Sequence, residues 1–201
     1  MIAIINYEAG NIASVSHAFD RLGVAYKVTD RFEELEAAQG IVFPGVGHAE
    51  AAMRSLMQKG LDTWLKNCTK PVLGICVGLQ LMYEWSEESE LPGLGIFHGK
   101  LHRFDDSQVK VPHIGWNQFT QMKAHPLLIG LDTKDFHYFV HSYYPPLGDE
   151  TLASCTYQVT FTAVAAKDHF MGVQYHPEKS GAAGALLLRN FIHIVNPPLA
   201  L

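Results

Sequence analysis

Cysteine is scarce in this chain of 201 residues: there are only Cys68, Cys76 and Cys155, an odd number, widely spaced and without a Cys-x-x-Cys pair. That excludes a disulfide framework or a zinc ribbon and makes a reducing compartment the natural setting. Charge is also thin, at 17% of residues with a formal net charge of −5, so there is no basic footprint for nucleic acid. Long apolar runs are missing. The opening Met1-Ile-Ala-Ile-Ile has no basic segment before it and is too short for a signal peptide or a membrane span, so it reads as a strand in a cytoplasmic protein. Repeats, low-complexity tracts and linkers are absent too, and the length fits a single domain over 1–201 with a core of its own.

Histidine is plentiful, with 11 copies. His98/His102 and His137/His141 are spaced four apart, which converges on a metal only in a helix. Phe136 to Tyr144 is aromatic and β-branched and reads as a strand, where such a pair lies too far apart to chelate. Neither a metal nor a cofactor is expected.

The first half alternates between short apolar strands and helical periods. Strands are expected at Ile2–Ile5, Ala25–Thr29, Ile41–Phe43 and Val72–Ile75, with helices at Ile12–Leu22 closed by Gly23, around Phe32–Ala38, and from Ala49 to Leu65. This grammar predicts an α/β fold: a three-layer, flavodoxin-like, mostly parallel sheet with helices on both faces. From Leu94 onwards strands dominate, at Ile96–Phe104, Phe136–Tyr144, Leu152–Tyr157, Phe161–Ala166 and Met171–Tyr175. The last three form an antiparallel meander, before a final helix over Ala182–Ile194.

Cys76 lies between two glycines in Gly74-Ile-Cys76-Val-Gly78, after an apolar strand and before a helix-like stretch. This is the pattern of a nucleophile elbow, in which a strained turn from strand to helix projects the reactive atom beside free helix N–H groups. A lone cysteine is more often a buried structural residue, so the pattern needs a base. His176-Pro177-Glu178 offers one. Proline pushes the preceding residue into extended geometry, so His176 and Glu178 are expected two apart on one side of an extended segment, where the carboxylate can fix the imidazole tautomer. An elbow also supplies the N–H of the next residue, Val77, to an oxyanion. Pro44-Gly-Val46-Gly47, whose glycines let the Val46 peptide reorient, offers a second donor. Gln80, four residues past Cys76 on the helix, faces the same way and can help hold a substrate.

Together, Gly74-Ile-Cys76-Val-Gly78-Leu-Gln80, Pro44-Gly-Val-Gly47 and His176-Pro-Glu178 resemble the signatures of class I glutamine amidotransferases, in the usual order. Asn6-Tyr-Glu-Ala-Gly-Asn11, Pro112-His-Ile-Gly-Trp-Asn117 and Phe139-Val-His-Ser-Tyr143 narrow the likeness to the glutaminase subunits of imidazole glycerol phosphate synthase, nearly end to end. The first loop departs from the pattern: Glu8 stands where many members carry a glycine after the tyrosine. The resemblance implies that Cys76, His176 and Glu178 hydrolyse glutamine, and that Gly47, Glu88 and His141-Ser142-Tyr143 recognise it. It also implies an oxyanion loop that is wrongly oriented until a partner binds its ligand. That partner is a (β/α)8-barrel cyclase subunit, which uses the ammonia to make imidazole glycerol phosphate and AICAR. The expected docking surface includes Asn11, Trp116, Asn117 and Tyr138. Rival readings are a glutaminase serving pyridoxal phosphate, anthranilate or guanylate synthesis, a cysteine peptidase or γ-glutamyl hydrolase acting alone, and a catalytically silent binding module.

Overall fold

A computed structural model describes residues 1–8 and 11–197 of the chain; Ala9 and Gly10 of the first loop, and residues 198–201, lie outside the described residues. The elements run β1 (Ile2–Ile5), α1 (Ile12–Leu22), β2 (Tyr26–Thr29), α2 (Phe32–Ala37), β3 (Gly40–Gly45), α3 (Ala49–Gln58), α4 (Leu61–Lys66), β4 (Val72–Cys76) and α5 (Val77–Met82). They continue through β5 (Tyr83–Ser86), β6 (Phe97–Arg103), β7 (His113–Met122), β8 (Phe136–His141), β9 (Tyr143–Tyr144), β10 (Thr151–Thr156), β11 (Thr160–Lys167), β12 (Phe170–Val173) and α6 (Gly181–Val195).

The main sheet has nine strands in the order β2-β1-β3-β4-β12-β11-β10-β7-β8. Its first five are mutually parallel and the rest antiparallel, so the flavodoxin-like parallel core and the β10-β11-β12 meander both match expectation. Strands covered on both faces must be apolar throughout. Ile2–Ile5 and Ile41–Phe43 accordingly have no solvent exposure. The helices pack in two groups, α1 with α6 and α3 with α4 and α5, as right-handed crossovers on opposite faces require. A small sheet, β5-β6-β9, flanks the main one.

Three expectations need correction. The helix expected over Ala49–Leu65 is two helices, because Gly60 takes φ +68, a left-handed conformation that ends one helix and lets the next start at an angle. The Gly-Trp-Asn stretch, for which no element is expected, lies within β7, a strand whose half-exposed face hides the apolar alternation that would reveal it. The strand expected over Phe136–Tyr144 breaks at Ser142, so that His141 closes β8 while Tyr143 starts β9 in the other sheet.

Glu8 has φ +66, the backbone region that glycine enters without strain, which is the physical reason a glycine suits that position. Its exposed carboxylate pairs with Lys59 at 3.2 Å.

The packing of α5 on the sheet depends on Gly78. A Cβ there would lie 1.9 Å from the Phe43 carbonyl oxygen of β3, a backbone atom that cannot yield. Gly78→Ala is expected to destabilise the fold by about 3 kcal/mol or more, read as a lowered urea midpoint. An unchanged midpoint would mean that α5 does not press on β3.

Candidate active site

β4 delivers Cys76 at the carboxyl end of the parallel strands, where sites in such sheets gather. The residue has φ 53 and ψ −109, a strained conformation costing about 1–3 kcal/mol that marks the turn from β4 into α5. Val77 is the first helical residue, so its N–H has no partner within the helix. Gly45 pairs with Cys76 across β3 and β4, bringing Val46 beside the sulfur. At Gly45 a Cβ would meet Gly78 N and the Tyr7 hydroxyl, both at 2.7 Å, and the Tyr7 hydroxyl donates to the Pro44 carbonyl at 2.7 Å. Gly47 is different: it has φ +90 and open space around it. Of the two glycines flanking Val46, Gly45 is therefore there for close approach, and backbone freedom resides at Gly47.

β12 runs parallel to β4, pairing Val173 with Ile75, and its continuation carries His176 towards Cys76. His176 is extended, as the following proline requires, but Pro177–Lys179 turns into a single 3-10 turn, so Glu178 is not on an extended segment as expected. The turn still brings the carboxylate back to the ring: His176 Nδ1 lies 2.8 Å from Glu178 Oε1, with side chains only 4% and 1% exposed. A carboxylate at Nδ1 fixes the proton there and leaves Nε2 for the sulfur. Burial works against a charged imidazole, but the interactions with Cys76 and Glu178 outweigh it and push His176 up to about 10. The native state therefore holds this proton more tightly than the unfolded chain does. The stabilisation is complete below the ordinary value of 6.5 and lost as pH rises through about 10. The melting temperature of the native chain is expected to fall more steeply than that of His176→Gln across that window; parallel curves would contradict the pairing.

Cys76, His176, Val46, Val77, Gly47, Gln80, Glu88, His141, Ser142 and Tyr143 line one cavity of about 270 Å³. Glu178 lies behind His176. Glu88 follows β5 and is half-buried. Burial raises its carboxyl, opposed by the Ala49 N–H, which donates to Oε2 at 2.8 Å. His141 Nδ1 donates to the Tyr143 carbonyl at 2.8 Å, and burial pushes its ring down to about 3, so it is neutral. Its Nε2 meets His113 Nδ1 at 3.1 Å. Sequence reasoning missed Pro112, Val140 and Lys179 on the cavity wall, and Gln174, whose Nε2 donates to the Cys76 sulfur at 3.8 Å. The thiol itself donates to the Val140 carbonyl at 3.7 Å.

The four residues expected at a docking surface lie outside this cavity. Trp116 is 55% exposed and packs edge-on to Tyr138, its partner across β7 and β8, at 5.7 Å. Asn117 donates to the Thr156 carbonyl at 3.0 Å, while Asn11 caps α1, its side chain accepting from Ser14 N at 3.3 Å. All three cysteines are buried, but only Cys76 lines the cavity; burial raises the Cys68 thiol and pushes Cys155 up to about 12, so neither competes as a nucleophile. Among the described residues no group of three or more His, Cys, Asp or Glu could hold a metal ion, and no helix is long and apolar enough to cross a membrane.

The chain is similar to known proteins. The model of the glutamine amidotransferase class-I family matches residues 3–195. The HisH subunit of imidazole glycerol phosphate synthase from Pasteurella multocida is 45% identical over 191 residues, covering 95% of this chain and 96% of the relative. That from Bacteroides fragilis is 46% identical over 96% of this chain and 99% of its own. Among solved structures, one described as a glutamine amidotransferase aligns with a TM-score of 0.75 at 17% identity, covering 97% of this chain and 99% of its own. PurLQS from Thermotoga maritima aligns at 0.70 and 16%, covering 96% and 98%. At such identities the structures speak for the fold alone, whereas the sequence relatives go further. The chain belongs to the class I glutamine amidotransferase family and, within it, to the HisH subunits of imidazole glycerol phosphate synthase.

Proposed function

We propose that this chain, acting as a single cytoplasmic domain, hydrolyses glutamine and passes the ammonia to a (β/α)8-barrel cyclase subunit that makes imidazole glycerol phosphate and AICAR in histidine biosynthesis. The observation that carries the chemistry is the convergence of an elbow cysteine with a buried imidazole–carboxylate pair at one cavity. The Cys76 thiolate attacks the side-chain carbonyl carbon of glutamine, and the N–H groups of Val77 and Val46 receive the oxyanion. His176, cationic because its pKa is near 10, gives its proton to the departing nitrogen as the C–N bond breaks. Water then attacks the γ-glutamyl thioester while His176 takes a proton back, releasing glutamate and restoring the sulfur. Glu178 holds the ring throughout.

Glu88 keeps Oε1 free for the α-ammonium of glutamine, since Oε2 is tied to the start of α3. Gln80 and the 141–143 segment complete the cavity that orients the substrate. The Gly45–Val46 peptide, which carries the Val46 N–H, reorients when the cyclase subunit binds its ligand, and Gly47, with open space around it, absorbs the change on the far side of Val46. Asn11, Trp116, Asn117 and Tyr138 contribute to the docking surface. An exposed tryptophan packed against Tyr138 of the edge strand β8 is well suited to that use. The relatives' names favour the histidine pathway over the pyridoxal phosphate, anthranilate and guanylate alternatives.

An ammonia-release assay tests the proposal. Glutamine hydrolysis is expected to be very low for the chain alone and to rise at least about 100-fold with the cyclase subunit and its ligand, the gain associated with one correctly placed oxyanion donor. Robust hydrolysis of peptides or γ-glutamyl conjugates by the chain alone would instead identify an independent hydrolase.

A further inference from the structure

We propose that Gln174 is a positioning residue that holds and stabilises the Cys76 sulfur in its reactive, negatively charged form, its orientation set by Gln80 and the Tyr143 carbonyl. The inference rests on the reading of Cys76 as the nucleophile.

The Tyr143 carbonyl can only accept. Gln80 Nε2 donates to the Tyr143 oxygen at 3.1 Å, which fixes which end of the Gln80 amide faces which way. The second N–H of the same nitrogen meets Gln174 at 3.1 Å, so Gln174 must present Oε1 there. Its own Nε2 is thereby turned towards the Cys76 sulfur at 3.8 Å. Gln174 has no solvent exposure and its backbone N–H is bonded to the Ala163 carbonyl at 2.8 Å, so neither the chain nor the amide is free to turn away. It also sits two residues before His176 in the segment that follows β12, so one short stretch of chain brings both donor and base to the sulfur.

The contact acts on one protonation state more than the other. In the thiol form the S–H donates to the Val140 carbonyl. Once the proton is gone that carbonyl repels the sulfur, while the Gln174 N–H becomes a hydrogen bond to an ionised acceptor, the stronger kind. Besides lining the cavity, Gln80 commits both N–H groups of its amide to the Tyr143 carbonyl and Gln174, and so also acts on the sulfur through Gln174. The charged and titratable groups around Cys76 are His176 from the turn after β12, Tyr7 from the end of β1, His141 from β8, and Glu88 and Lys179 at the cavity wall. Each is left in place by a change at Gln174.

The test is the rate of iodoacetamide alkylation of Cys76 against pH, followed by peptide mass spectrometry, in the native chain, Gln174→Met and Gln174→Glu. Cys68 and Cys155, which do not line the cavity, serve as internal controls. The pH midpoint for Cys76 is expected to rise by about one unit in Gln174→Met, a tenfold loss of reactive form below the midpoint. Gln174→Glu keeps the length and the acceptor for Gln80 but removes the donor, and is expected to shift the midpoint at least as far, so the test stands even if the methionine variant folds poorly. In the complex with the cyclase subunit, kcat for glutamine hydrolysis should fall by about tenfold with KM within about twofold, the split expected when a group acts on the reacting atom and not on substrate binding. Profiles that superimpose in native and variant chains, with alkylation still eliminating activity, would overturn the role of Gln174 alone. A native Cys76 whose alkylation leaves glutamine hydrolysis intact would instead overturn the nucleophile assignment beneath it.

Discussion

Cys76→Ala is expected to lower glutamine-dependent formation of imidazole glycerol phosphate by at least about 10⁴-fold, as loss of a covalent nucleophile does, while synthesis from added ammonia stays within about twofold of native. The asymmetry follows from the fold. Cys76 ends β4 with a strained backbone and a side chain facing the cavity, so removing one sulfur leaves the β4–α5 packing through Gly78 and the exposed Trp116–Tyr138 edge intact. An acceptor supplied with free ammonia has no need of the sulfur. Coupled assays with either nitrogen source measure the two activities. Parallel loss of both would mean that Cys76 supports assembly of the complex and not catalysis.

The second large effect is at the base. His176→Ala is expected to slow thioester formation by about 10⁴-fold, the loss typical of a triad member, with glutamine affinity changed only a few-fold. His176 is buried against Glu178 and lines the cavity beside Glu88 and Tyr143, so the substrate contacts proposed for those two residues survive its removal. Glu178→Gln should reproduce much of this loss, because an amide can present a donor to Nδ1 and so favour the wrong tautomer. Rapid-quench measurement of the first turnover separates the two terms. Equal damage to affinity and to the chemical step would remove His176 from the role of base.

Much of this site was legible in the sequence because its constraints are local. The elbow needs small residues packed around a strained turn, and Gly78 is forced by the Phe43 carbonyl, so the pattern around Cys76 survives as a string of letters. The His-Pro-Glu stretch was legible for its chemistry but not its geometry: proline set His176 correctly, yet the 3-10 turn that folds Glu178 back depends on α6 packing beneath it. The left-handed break at Gly60 was missed because apolar spacing continues on both sides of it, and only the backbone angle separates α3 from α4. β7 was missed because one of its faces is solvent-exposed and carries Trp116 and Ile114 outward, inverting the usual alternation. Gln174 was the most instructive omission. It stands two residues before His176, just past the end of β12, but a glutamine there carries no signal until the orientation of Gln80 is known.

The most direct measurement is acid quenching of the complex during turnover of isotopically labelled glutamine, followed by peptide mapping of the bound label. The account predicts a γ-glutamyl thioester on the Cys76 peptide, present in the native chain, absent in Cys76→Ala, and strongly diminished in its rate of formation by His176→Ala. Glutamate released at the native rate with no label on Cys76, or with the label on Cys68 or Cys155, would contradict it.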